Sequence, residues 1–204
     1  MDNARQKPFA QACENNGPAI LQVLREKLRP NAQVLEIGSG TGQHAVQFAK
    51  ALPGVTWQTS DVETMHEGIR LWLDEAKLDN LRAPLTLDVS GEQWPATRYD
   101  AIFSANTSHI MPAAVVEKMF TAIPRCLADD GLFLLYGPFL YDGKHTSESN
   151  WRFDRWIRAW EPHRGLRDVT WLKQIAATAG LQLDEDIEMP ANNRILLWRK
   201  QARQ

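Results

Sequence analysis

The sequence predicts an α/β protein: a doubly wound sheet, mostly parallel, with an antiparallel final strand. Three observations carry this. Five short apolar, β-forming segments alternate with helix-period segments between Val34 and Tyr136, the rhythm of a parallel sheet covered by helices on both faces. The stretch Val34–Ala49 (VLEIGSGTGQHAVQFA) reads as strand, glycine turn and helix. Near the end, Leu181–Met189 and Arg194–Arg199 are separated only by Pro190-Ala191-Asn192-Asn193. That is too short for a crossover, so the two strands form a hairpin.

The chain has 204 residues and a formal net charge of −2, a length suited to one domain, 1–204. Balanced charge gives no global attraction to nucleic acid. Cys13 and Cys126 are far apart and in no metal-ligand spacing, so neither a disulfide framework nor a metal site is expected. No apolar run approaches the roughly 18 residues of a membrane span. Met1–Lys7 lacks the hydrophobic segment of a secretory signal. A cytoplasmic setting is expected.

In chain order, residues 1–30 read as an N-terminal arm and a helix, the arm irregular or partly helical to Asn16 and the helix opened by Gly17-Pro18. Asn15 and Asn16 either cap that helix or reach substrate as the arm folds over. In the glycine turn, Gly38 and Gly40 let backbone approach a ligand. A dinucleotide fingerprint wants glycine at the sixth place, where Gln43 stands. Strand 55–59 runs into Asp61, about the spacing from the turn at which an acid meets ribose hydroxyls; capping the next helix competes. Helix 64–77 carries a core stripe. Asp88-Val89 follows the third strand, as an adenine contact or a simple turn. The fourth strand, Ala101–Ala105, ends in Asn106-Thr107-Ser108-His109, where α/β folds place ligand contacts.

Residues 139–167 form a lid-like insertion after the fifth strand, too long for an ordinary loop. It contains Thr146-Ser147-Glu148-Ser149-Asn150 and then a helix. Phe153, Trp156, Ile157 and Trp160 share one face of that helix, with the arginines and Asp154 elsewhere. A lid packed by its aromatics is preferred over a nucleic-acid platform.

Taken together, the chain resembles a class I S-adenosylmethionine-dependent methyltransferase, with a Rossmann-like seven-stranded sheet. Its closer likeness is to the methyltransferase-like protein 26 family and its bacterial relatives. The residues that carry it are Tyr99–Thr107 with His109-Ile110, Tyr136-Gly137-Pro138-Phe139, Thr146–Asn150 with Phe153-Asp154, and Met189–Asn193. The resemblance implies S-adenosylmethionine as cofactor. It implies that Glu36, Gly38 and Gly40 hold the methionine and ribose parts, Asp61 the ribose hydroxyls, and Asp88 with Val89 the adenine. Asn106 would lie near the sulfonium.

Parallel strands end on one edge, so the clusters 106–109, 146–154 and 192–193 are expected to converge on an acceptor. Candidate substrate residues are Asn15, Ser147, Ser149, Asn150, Asn192 and Asn193, although paired asparagines also suit left-handed turns. His109 is the candidate general base, or else a hydrogen-bonded structural histidine; Asp154 and Glu148 are second choices. The expected partner is a small polar molecule, for which lid arginines allow a carboxylate; neither nucleic acid nor membrane is expected. A cofactor-binding module or sensor without turnover is the alternative, and Gln43 with the terminal hairpin disfavours a nicotinamide enzyme.

Overall fold

A computed structural model describes residues 6–201; the first five residues of the expected arm and residues 202–204 lie outside it. The chain divides into two compact units, Met1–Leu87 and Asp88–Gln204. The first contains helix α1 (Gln11–Lys27), strand β1 (Gln33–Ile37), α2 (Gln43–Ala51), β2 (Thr56–Asp61), α3 (His66–Ala76) after a 3₁₀ turn, and β3 (Leu81–Thr86). β1 pairs parallel with β2, and β2 with β3. The buried run Val34, Leu35 and Ile37 suits a strand covered on both faces.

Helix α1 corrects one expectation. It starts at Gln11 and runs through Gly17-Pro18 instead of beginning there. No side chain caps it at Ala10; instead Gln43 Oε1 accepts from the Ala10 N–H at 2.5 Å. A helix start closed by a residue far along the chain has no local signature. Asn15 and Asn16 therefore sit within the helix and cap nothing. At the far end of α2, Asn80 Nδ2 donates to the carbonyls of Ala49, Leu52 and Val55 at 2.8–3.1 Å. It satisfies oxygens that the helix end leaves without an internal donor.

The second unit contains β4 (Tyr99–Ala105), α4 (Ala113–Cys126), β5 (Leu127–Gly137), β6 (Phe139–Tyr141), β7 (Lys144–His145), α5 (Glu148–Trp160), β8 (Arg167–Asp168), α6 (Val169–Thr178), β9 (Leu181–Met189) and β10 (Asn193–Lys200). β4 and β5 are parallel. β10 is antiparallel to both β5 and β9, so β9 runs with the parallel strands and only the last strand is reversed. Asp168 caps α6 by accepting from the Thr170 N–H, and Gly180, at φ +78°, follows its end. Phe120 meets Phe133 and Trp198 edge-on at 5.4 and 5.3 Å in the core. The seven-stranded sheet has the order β3-β2-β1-β4-β5-β10-β9.

Residues 139–167 are more than a loop: β7, β6 and β8 form a small sheet of their own. α5 corrects the second expectation. Its buried residues are Asn150, Asp154 and Ile157, whereas Trp156 and Trp160 are 57% and 69% exposed. Among the described residues, no helix is long and apolar enough to cross a membrane.

Replacing Asn80 with alanine removes a donor from three carbonyls, of which Leu52 O keeps the Val55 N–H, and is expected to cost about 1–3 kcal/mol. A chemical-denaturation midpoint that does not move would show that these bonds stabilise nothing.

Candidate functional site

In the first unit the glycine turn is wired to the end of β2. The Gly38 and Ser39 N–H groups both donate to Ser60 O at 3.0 Å, and Gly40 N–H donates to Asp61 Oδ2 at 2.8 Å. Gly40 has φ +58°, and a Cβ added there would meet nothing within 4 Å, so the space beside it is open. Gly42 starts α2 at φ +90°, where a Cβ would lie 3.2 Å from the Ile69 backbone. Only glycine satisfies both demands at that position.

Two acids stand at this turn. Asp61 also accepts from the Val62 N–H at 2.8 Å through Oδ1, so each carboxylate oxygen holds one main-chain donor. The helical turn after it is capped by Val62 with no side-chain bond, so Asp61 is not its N-cap. Burial raises the Asp61 pKa, and the Gly40 and Val62 donors pull it back. Glu36 is buried, with Ser39 Oγ donating to Oε2 at 2.7 Å and Trp57 Nε1 at 3.2 Å. Burial pushes its pKa up to about 7 against these two donors, with Asp61 adding to the rise.

The arm and α1 lie along the same turn. Gln43 Oε1 accepts from Thr41 Oγ1, and its Nε2 donates to Glu14. His44 Nε2 is 2.7 Å from Asn16 Oδ1. Asn15 Oδ1 accepts from Gln11 Nε2, on an exposed face. Trp57 was not singled out from sequence as a part of this turn, because tryptophan usually reports packing, and Gln43 was read there only as the residue standing where a glycine would.

In the second unit, Asp88 Oδ1 accepts from both the N–H and the hydroxyl of Ser90, which lowers its pKa. Those bonds build the turn that competed with an adenine role; Val89 beside it is half-buried. Asn106 has φ +60° and donates its N–H to Tyr136 O.

His109 is buried, and its Nδ1 has no hydrogen-bond partner; neither has Ser108 Oγ. Nδ1 thus makes no bond of the kind a hydrogen-bonded structural histidine would use it for. Burial, then Arg167 and Arg164, push its pKa down to about 4, so the imidazole is neutral at physiological pH. Its ring meets Phe153 of α5 edge-on at 5.2 Å, and its carbonyl accepts from the Gly165 N–H.

Asp154 is buried and accepts from the Leu166 N–H, His145 Nε2 and Arg158 Nε at 2.7, 3.0 and 3.1 Å. Burial alone would raise its pKa, but these donors outweigh that and hold it low. Arg167 donates to the carbonyls of Ser108, Met111 and His163. His145 and Arg167 were not singled out from sequence, and Arg158 was placed only among the helix arginines off the aromatic face; Arg167 finds Ser108 and Met111 far along the chain. Glu148 is exposed and paired with Arg152.

Ser147 caps α5 by accepting from the Asn150 N–H. Asn150 Nδ2 donates to Thr146 Oγ1 at 2.8 Å and to Asn192 O at 3.0 Å, and Asn192 Nδ2 reaches Ser149 Oγ. Asn193 Nδ2 donates to Pro190 O and Ala191 O. The structure thus joins 106–109 to α5 through Phe153, and α5 to 192–193 through Asn150. Arg152, Arg158 and Arg164 pair with Glu148, Asp154 and Glu161, and Arg155 lies over the Trp151 ring.

The family described as Protein of unknown function (DUF938) matches residues 7–200, and the chain belongs to it. Among solved structures, an O-methyltransferase family 2 protein from Planctomyces limnophilus, in complex with apigenin, is similar with a TM-score of 0.81 and 15% identity. The similarity covers 93% of this chain and 58% of that one. A putative O-methyltransferase from Nostoc punctiforme gives 0.80, 16% identity and coverages of 92% and 56%. Human N-acetylserotonin methyltransferase, in complex with SAM, gives 0.78, 15%, 94% and 53%. The chain spans between 53% and 58% of the length of these three proteins, and at such identity the likeness is one of fold.

Glu36 makes stability depend on pH. Between the ordinary carboxyl value of 4.5 and about 7, the folded chain keeps a proton that the unfolded chain has released. Stability is therefore expected to fall as pH rises through that window, by on the order of 3 kcal/mol, and then to level. Glu36→Gln keeps an acceptor for Ser39 and Trp57 and is expected to flatten the slope. Urea midpoints at pH 5 and pH 8 check this; equal slopes for both proteins would remove Glu36 as the cause.

Proposed function

We propose that this DUF938-family chain is an S-adenosylmethionine-dependent methyltransferase acting on a small polar molecule. The observation that carries the reading is the Gly40–Asp61 clasp at an open glycine turn, on a fold shared with methyltransferases. The residues fit the cofactor. Open space at Gly40 admits a ligand against backbone, and each Asp61 oxygen, holding one main-chain donor, keeps capacity for a ribose hydroxyl. We keep the closer resemblance to the methyltransferase-like protein 26 family within this reading, on the motifs that end the fourth and fifth strands and on Met189–Asn193.

When bound, S-adenosylmethionine supplies a methyl group already activated by its sulfonium. Glu36, Gly38 and Gly40 hold the methionine and ribose parts in this reading, and Asp61 the ribose hydroxyls. Asp88 with Val89 takes the adenine, and Asn106 the methionine end. What remains for the chain is to align the acceptor, a contribution of up to ~7–11 kcal/mol in well-oriented systems. Ser149, Asn192 and Asn193 serve as acceptor contacts, with Ser147 and Asn150 holding them in place and Asn15 joining them from α1. His109, neutral and with Nδ1 unpartnered, takes up the acceptor's proton. Asp154, saturated by three donors, acts as a positioning residue, and Glu148 is the exposed reserve acid. The setting is cytoplasmic, with both cysteines free.

A sensor that binds the cofactor without turnover is the second reading, and no observation favours it. Calorimetry is expected to show S-adenosylmethionine binding, and Asp61→Ala to weaken it by roughly tenfold to a hundredfold. Binding of NADH in its place would sink the proposal. S-adenosylhomocysteine formation from a metabolite extract separates enzyme from sensor.

With a base whose pKa lies near 4, kcat/KM is expected to hold level down to about pH 5, below the usual histidine limb near ~6.5. His109→Ala is expected to lower kcat by ~10²–10⁴-fold. Unchanged turnover at every pH would remove the assignment.

A further inference from the structure

Within the second unit lies a cavity of about 310 Å³, lined by Thr146, Glu188, Met189, Asn192, Asn193 and Arg194. That is the small end of the usual range for ligand sites, ~300–1,000 Å³. Its wall is one-sided chemically. Asn193 is oriented by two carbonyls, Pro190 O and Ala191 O, which can only accept. Its nitrogen is thereby committed, and its Oδ1 is left to accept from something else. Asn192 likewise spends its nitrogen on Ser149.

Arg194 is the cation of the lining, and each of its three nitrogens has an oxygen partner. Its Nε meets Asp186 Oδ1 at 2.7 Å and its Nη1 meets Glu188 Oε1 at 2.9 Å. Tyr141 donates to the other oxygen of Asp186 at 2.7 Å. One guanidinium thus stands against two carboxylates, Glu188 in the lining and Asp186 outside it, with the side-chain amides of Asn192 and Asn193 beside them.

The backbone supports a binding role. Ala191 and Asn192 both have φ +58°, and a left-handed alanine costs roughly 1–2 kcal/mol. The Asn150 bond to Asn192 O holds this turn. Strain of this kind collects at ligand walls.

We propose that this cavity is the acceptor subsite and takes a small, hydrogen-bond-donating aliphatic amine in its ammonium form, not a carboxylate. Only the word acceptor rests on the methyltransferase reading; the binding chemistry stands without it. The ammonium donates to the Glu188 carboxylate and to the Asn193 and Asn192 amide oxygens, while Thr146 and Met189 line the chain of the amine.

The test is calorimetric titration of the full chain with putrescine, ethanolamine and succinate, without any methyl donor. Both amines are expected to bind at millimolar concentration or below, and succinate not at all. Glu188→Gln, at an exposed position, is expected to weaken amine binding about tenfold with an unchanged melting temperature. Asn193→Ala supplies a second, independent loss. Succinate binding as tightly as the amines, no binding of any probe, or affinities untouched by both substitutions would each overturn the proposal. S-adenosylmethionine is titrated into the same samples. Amine binding without it removes only the methyltransferase reading, and the reverse removes only this inference.

Discussion

One buried carboxylate sets the form of the segment between β5 and α6. Asp154 draws a backbone N–H from Leu166, an imidazole from β7 and a guanidinium from its own helix. Removing any donor would leave a charge short of partners in a low-dielectric site, where breaking such pairs typically costs several kcal/mol. Beneath it, Arg167 spends its donors on three backbone carbonyls. Hydrogen bonds, more than apolar burial, therefore decide how α5 sits, and its tryptophans are left facing outward.

The first unit uses acids differently. Glu36 and Asp61 stand close enough that each disfavours the other's charge, and Glu36 is buried while receiving only neutral donors. Asp154 is a satisfied anion that fixes structure. Glu36 is a strained one whose protonation responds to its surroundings near neutral pH. Carboxylates of the same intrinsic acidity thus do opposite work, according to whether charged and backbone donors reach them.

Much of the fold is readable from the chain because strand and helix periods are local. The five alternating segments and the short Pro190–Asn193 link account for the sheet and its reversed last strand without any long-range information. The glycine turn and Asp61 were readable for the same reason, being one strand–helix–strand unit. What could not be read depends on partners distant in sequence. The start of α1 is closed by Gln43, and the buried face of α5 is chosen by His145 and Leu166. Helical periodicity pointed to the aromatic face there, since an aspartate at Asp154 looks solvated until its donors are known. His109 was visible as a candidate, but its unpartnered Nδ1 belongs to three-dimensional structure alone.

Among the eight tryptophans, two pairs stand at the extremes of exposure. Trp57 and Trp198 are wholly enclosed, whereas Trp156 and Trp160 stand 57% and 69% in solvent and lie within 5.6 Å of one another. The first pair lies beyond the reach of aqueous quenchers; the second is open to quenching by iodide. Anything that covers the outer face of α5 shields the second pair and leaves the first untouched, so the chain carries its own fluorescent label for that surface.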